Sequence, residues 1–282
     1  MLSVGPTDDV TNQTVRRMNK TLQATAGLAV DPYTSLAHSG QIASPSGRPS
    51  RVKPLMRRYE VAHLTPSLEI EEFSRMAPAL PAFENAFAAF GRGAIVRTET
   101  GPMAVEDLLP GDRVMTSNHG FQTLLWFGKI SIVPNQTELR PEMSTKTRIT
   151  ADSLGLGRPS VDVILGPSAR MHYHSPALQQ MTGTTSALVP VRDFIDGDQM
   201  IELRPATAVQ AYHLGFAHHT CVNVNGIEIE TLHPGPAHSV GIGTAMMPHF
   251  MALFPHVSHL ISFGPLMAPR LRKADLDLVV AA

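Results

Sequence analysis

Residues 89–128 read AFGRGAIVRTETGPMAVEDLLPGDRVMTSNHGFQTLLWFG, and this stretch decides the fold class. AIVRT (94–98), RVMTS (113–117) and TLLWFGKISIV (123–133) are short runs rich in β-branched and aromatic residues. Turn chemistry separates them: Thr100-Gly101-Pro102, Pro110-Gly111-Asp112 and Asn118-His119-Gly120. Between the first two, residues 105–109 read as a short helical turn ended by Pro110-Gly111, with the Asp112 carboxylate able to hold the bend. The same rhythm continues downstream in VDVIL (161–165), MHYH (171–174), ALVPV (187–191), MIEL (200–203), VQAYHLGF (209–216), CVNV (221–224) and IEIETL (227–232). Many short strands between Gly, Pro, Asn and Asp turns predict a mostly β body, folded over or barrel-like. No internal repeat of 20–50 residues interrupts that pattern.

Outward from this body the chain changes character. YEVAHL (59–64) and LEIEEFSRM (68–76) alternate weakly, and PAFENAFAAF (81–90) reads as helical. Before them, SGQIASPSGRPSRVKP (39–54) has no apolar period, and residues 1–60 hold eight basic against four acidic side chains. That composition predicts a solvated, disordered basic arm. At the other end, residues 231–269 contain no Asp, Glu, Lys or Arg, but Pro248, Pro255 and Pro265 break the run too often for a membrane span. Phe250, Leu253, Phe254, Val257, Leu260 and Ile261 fall near helical spacing, so a broken helix pair packing on the β body is expected, the second helix starting at Pro255. The basic cluster Arg270, Arg272 and Lys273 reads as a polar exit. The expected organisation is an arm over 1–58, a lead-in over 59–84, the β body over 85–240 and a helical tail over 241–282.

Composition narrows the function. The 282 residues carry 23 Lys+Arg and 24 Asp+Glu for a net charge of −1, which argues against a generally basic nucleic-acid binder. One cysteine, Cys221, excludes a disulfide framework and any multi-cysteine zinc or iron–sulfur site. The opening MLSVGPTDDV meets two acids before any apolar run and does not read as a secretory signal, so the expected compartment is the cytoplasm. The N-x-T sequons at Asn12, Asn19 and Asn135 matter only in a secreted eukaryotic setting, which nothing else supports. No Gly-rich phosphate loop, nucleophile elbow or zinc ribbon is present, and no cofactor is expected.

Three ordered blocks carry a family resemblance. Val105-Glu106-Asp107-Leu108-Leu109-Pro110-Gly111-Asp112-Arg113-Val114 matches a "V-E-D-L-x-P-G-D-x-V" opening; VILGPSARM (163–171) is similar to a "V-S-P-Q-H-R-M" block; AYHLGFAHHTCVNVNGIEIETLHPG (211–235) is similar to a closing "Y-H-L-x-F-D-x-H…NG…E-S-x-H-P-G" block. Together, over about 89–235, they resemble the Hedgehog/intein (Hint) autoprocessing domain of the bacterial type. The resemblance implies a Hint fold and, in active members, self-cleavage or splicing.

Carried over residue by residue, however, the resemblance implies a lost site. The family's first residue, normally a Cys or Ser nucleophile, falls on Ala89, and a methyl group has no lone pair with which to start an acyl shift. The His that polarises the scissile amide falls on Ala169, with Arg170 keeping the frame. The Asp of the closing block falls on Ala217, leaving His219 from the usual polar set. His233 is followed by Pro234, not by the Asn that cyclises in splicing. Cys221 is the sole thiol and reads as a small buried hydrophobe rather than a replacement nucleophile.

Other candidates are weaker. His172 and His174 share one strand face and, with His213, His219 and His233, form the candidate set for a His-only metal site, against ordinary hydrogen-bonded roles. Glu106-Asp107 favour a turn role over paired catalysis, and Trp126 and Phe127 read as core. The leading expectation is a pseudoenzyme: a Hint protein without self-cleavage, acting as a binding or scaffold module for an unidentified protein partner. The alternatives are an active domain cutting near Ala88–Ala89 and a His-based metal or small-molecule binder.

Overall fold

A computed structural model describes residues 55–134 and 141–280. The expected arm therefore lies outside the described residues except for its last four positions, as do the three sequons. The strands are β1 (Met56–Leu64), β2 (Ile70–Pro78), β3 (Phe90–Gly91), β4 (Ile95–Thr98), β5 (Gly101–Ala104), β6 (Arg113–Thr116), β7 (Gly120–Thr123) and β8 (Trp126–Ile132). They continue as β9 (Lys146–Ile149), β10 (Val163–Leu165), β11 (Arg170–His174), β12 (Ser186–Pro190), β13 (Met200–Leu203), β14 (Val209–Gly215), β15 (Cys221–Val224) and β16 (Ile227–Glu230). Among the described residues, four short helices, α1 (Pro81–Asn85), α2 (Leu178–Thr182), α3 (Met247–Met251) and α4 (Lys273–Val280), join them.

Two antiparallel sheets form. One runs β13-β9-β10-β3-β14-β8-β1-β2; the other runs β12-β11-β16-β15-β4-β6-β7, with β5 also paired to β4. Their core holds Phe90, Val96, Val114, Leu165, Leu214, Val222 and Ile229, together with Ala89 and Ala169. Local chemistry fixes this frame. Asn225-Gly226, both at positive φ, turn β15 into β16, and Asn225 Oδ1 accepts the Ile95 N–H at 2.8 Å, tying the closing block to the opening one. Asp112 Oδ2 accepts the Leu109 N–H, as the turn chemistry predicts.

A second core lies over Trp126. Tyr59, Phe83, Phe87, Ile130, Phe250, Phe254 and Phe263 surround it, drawing the lead-in and the tail into one compact unit with the β body. Trp126 Nε1 donates to the Leu253 carbonyl at 2.8 Å. On the lead-in side, buried Arg57 donates Nε and Nη2 to Glu84 Oε1 and Nη1 to the Ser131 carbonyl, fastening α1 to β1 and β8.

Three local expectations need correction. The helix in PAFENAFAAF stops at Asn85, because the Ala89 N–H goes to the Tyr212 carbonyl and Phe87 and Phe90 enter different cores. No helix starts at Pro255: between Pro255 and Pro265 the chain turns and forms only a 3-10 turn, Leu260–Phe263, because too few residues lie between the prolines to offset helix nucleation. Nor is Arg270 an exposed exit. The Leu188 N–H donates to the Pro269 carbonyl and the Leu271 N–H to the Leu188 carbonyl, so the chain around Arg270 docks on β12 and carries that side chain inward.

Candidate functional site

The chain passes from the core around Trp126 into the core between the two sheets at Ala88–Ala89. Both residues are buried, 0% and 1% exposed, and both carbonyls and the Ala89 N–H are hydrogen-bonded. Ala89 N–H donates to the Tyr212 carbonyl at 3.1 Å, Gly166 N–H to the Ala89 carbonyl at 2.7 Å and Ser168 N–H to the Ala88 carbonyl at 3.0 Å. Position 166 must be glycine for this approach, since a Cβ there would sit 2.1 Å from the Ala88 carbonyl oxygen. Ala169 follows, 1% exposed, in the same core cluster as Ala89, whereas Ala217 is exposed on the loop after β14.

A cavity of about 400 Å³ is lined by Arg170, His213, Glu230, His233 and Arg270, with Asn85 and Ala86, just before Ala88 in the chain, at its wall. Its centre is Glu230, 3% exposed at the end of β16. The β11–β16 register, Met171 opposite Ile229, places Arg170 across from Glu230. Arg170 Nη1 reaches Glu230 Oε2 at 3.3 Å, and Arg270 Nε donates to Oε1 at 2.8 Å while its Nη2 holds the His233 carbonyl. Burial alone would raise the Glu230 pKa, but Arg270, His219 and Arg170 hold it well below the ordinary carboxylate range.

The three imidazoles of this region share one arrangement. Nδ1 of His213 accepts the Leu214 N–H, Nδ1 of His219 the Met267 N–H and Nδ1 of His233 the Gly235 N–H. The proton of each neutral ring therefore sits on Nε2. His233 Nε2 faces the Gly264 carbonyl at 3.0 Å; His219 Nε2 lies 3.1 Å from Glu230 Oε1, at ion-pair range but off the line of a hydrogen bond. Burial lowers the pKa of His213 to about 3 and that of His233 to about 4, so both are neutral near neutral pH. None of the three offers a free lone pair for proton abstraction.

The remaining candidates separate. Cys221, opposite Glu230 on β15, is buried against Met267, and desolvation pushes its thiol pKa well above the usual value. Glu106 accepts the Gly93 N–H, a turn role. The five histidines do not converge on one metal site. His172 and His174 meet Glu228, while His213, His219 and His233 stay with Glu230. His219 therefore drops out as a partner of the β11 pair. Sequence reading missed Glu228, Glu230 and Arg270. The two acids alternate with Ile227 and Ile229 along β16, a signal that they share one face. Arg270, 40 residues from Glu230, gave no such signal.

Two antiparallel sheets folded over a shared core, entered at Ala88–Ala89, define a Hint-type fold. A family model described as the Hint domain matches residues 88–236, more than half of the chain, and the chain belongs to that family. Among solved structures it is similar to a bacterial intein-like domain from Clostridium thermocellum, at 13% identity and a TM-score of 0.34, covering 51% of this chain and 98% of that one. It is also similar to a splice-inactive variant of the AceL NrdHF class 3 split intein, at 12% identity and a TM-score of 0.36, with the same coverages. No curated protein matches. Among the described residues, no helix is long and apolar enough to cross a membrane.

Proposed function

We propose that this chain is a Hint-domain protein that has lost self-cleavage and keeps the fold as a binding or scaffold module for a protein partner. The observation that carries the reading is the state of the groups around Ala88–Ala89. Position 89 presents a methyl group, position 169 another, and the Nδ1 atoms of His213, His219 and His233 are occupied by backbone N–H donors. A peptide with no nucleophile at position 89 and no free imidazole base to activate a neighbouring hydroxyl is stable. Fold and site are separable, so a packed core of this size can outlast the chemistry it once positioned.

A second reading, self-cleavage at Ala88–Ala89, draws on Ser168. Its N–H holds the Ala88 carbonyl, and its buried hydroxyl has no hydrogen-bond partner. Attack by that hydroxyl would give an Ala88 ester on Ser168 and release the Ala89 amine, which keeps the transferred proton; water would then hydrolyse the ester.

Intact mass of the freshly expressed chain, repeated after incubation with and without a thiol, separates the two. A single species at 30.5 kDa throughout is the expected result. A product beginning at Ala89, abolished by Ser168→Ala, overturns the proposal. For the scaffold role, a captured partner should raise the melting temperature of the purified chain, with a shift that grows with the logarithm of its concentration once that exceeds Kd.

A further inference from the structure

The sheet face that carries Arg170 and Glu230 continues two residues further along both strands into a different chemistry. On β11, Arg170, His172 and His174 alternate onto one face; on β16, Glu230 and Glu228 do the same. The antiparallel register sets His172 directly across from Glu228, as it sets Arg170 across from Glu230. His172 Nδ1 lies 2.7 Å from Glu228 Oε2 and His174 Nε2 lies 3.6 Å from the same oxygen. The two rings stand 4.1 Å apart, and the three donor atoms fall within 4.8 Å of one another. Among the described residues, no other group of histidines, cysteines and carboxylates has donors arranged to hold an ion.

We propose that His172, His174 and Glu228 form a divalent transition-metal site, with zinc as the ion it suits. The donor set is two imidazoles and one carboxylate, the pattern in which zinc keeps three protein ligands and one open position. Burial supports a built site rather than a chance surface cluster. The His172 side chain is only 7% exposed, with Nδ1 facing Glu228, whereas His174, 61% exposed, opens toward solvent and gives the ion an entry path. Ligand atoms around a tetrahedral zinc stand roughly 3.3 Å apart, so the ion needs the His172–Glu228 contact to open by about half an ångström and the widest donor pair, at up to 4.8 Å, to close by about 1.5 Å, which the exposed His174 ring can do by rotating. Ser117, beside the carboxylate, is placed to orient it as an outer-shell partner. The fourth position is left for water or for a donor from a bound partner. This site lies outside the Glu230 cavity and does not depend on whether Ala88–Ala89 can be cut.

The test uses the full chain, stripped with a chelator and dialysed, titrated with zinc chloride by calorimetry and then with cobalt(II), whose visible absorption reports tetrahedral ligation. The expected result is one equivalent of zinc bound with a Kd on the order of 1 μM or tighter near neutral pH, weakened at least ~10-fold by His174→Ala and by Glu228→Gln. His174 is exposed, so its replacement leaves the fold intact, which the melting curve checks. His119→Ala, on a separate exposed imidazole, serves as the control and should bind as the parent chain does. Absence of saturable binding up to about 100 μM zinc, or binding that His174→Ala leaves unchanged, overturns the proposal.

Discussion

Glu230→Gln is the most informative single perturbation of this molecule. The carboxylate is 3% exposed and faces three partners: Arg270 Nε at 2.8 Å, His219 Nε2 at 3.1 Å and Arg170 Nη1 at 3.3 Å. With charge centres about 4 Å apart and an effective dielectric of about 20, each arginine pair contributes roughly 4 kcal/mol of attraction, much of it offset by desolvation of the ions. Removing the charge leaves both arginines without a counter-ion while their desolvation cost remains. The expected loss is therefore about 4 kcal/mol, within the range seen when one member of a buried pair is deleted. For a domain of this size that corresponds to a drop of roughly 10 °C in melting temperature. Urea unfolding at neutral pH measures it, with Glu202→Gln as the control: its pair with Arg204 is exposed and should matter by about 0.5 kcal/mol or less. Adding Arg270→Leu to Glu230→Gln should recover part of the loss, because one stranded charge is removed. A loss below about 1 kcal/mol for Glu230→Gln would mean that the cavity is wetter than its geometry implies, and the reasoning would fail.

Acid should destabilise the fold in two stages. The folded pKa of His213, about 3, lies below its ordinary 6.5, so the neutral ring contributes stability that is fully present above 6.5 and is lost as the pH falls from there toward 3. The slope expected from this one residue is about 1.4 kcal/mol per pH unit, and His213→Leu should flatten the curve by that amount in urea titrations between those limits. Glu230 adds a second stage, since its depressed pKa contributes stability that starts to fade only below the ordinary carboxylate value of 4.5. Gly166→Ala forces its new methyl group against the Ala88 carbonyl oxygen, 2.1 Å away, and should cost about 3 kcal/mol in the same assay; a change under 1 kcal/mol would show that residues 88 and 89 shift freely.

What the sequence could and could not disclose follows from the range of each interaction. Strands such as Ile95–Thr98, Arg113–Thr116 and Cys221–Val224 are read from period and turn residues within a few positions, and the structure places strands there. Lys146–Ile149 passed unnoticed because KTRI has a lysine and an arginine in a four-residue strand. The Lys146 chain is buried with Nζ on the Gln210 carbonyl, and burial lowers its pKa to about 8, a context set by a strand 64 residues away. The Glu230 cluster was half visible for the same reason. His219 and His233 stood out inside a recognised block. Arg270 belongs to a tail segment whose docking on β12 runs through backbone hydrogen bonds that no side-chain pattern encodes.

The proposed loss of chemistry also explains which polar groups remain. Replacing a nucleophile, an imidazole or a carboxylate by alanine removes a polar atom without leaving a buried charge behind, provided its partners are not left unsatisfied. Ala89 and Ala169 meet that condition, since both pack directly into the apolar core between the sheets. Glu230 does not, because its removal would strand Arg170 and Arg270. His219 and His233 are held in turn: His233 accepts the buried Gly235 N–H, and His219 the partly buried Met267 N–H. On the proposed loss of activity, alanine is tolerated where the structure closes over the gap and not where a group belongs to the network that holds the tail. On this argument the Arg170–Glu230–Arg270 ladder with its two histidines holds the tail on the sheets, and the cost of losing Glu230 is read as stability.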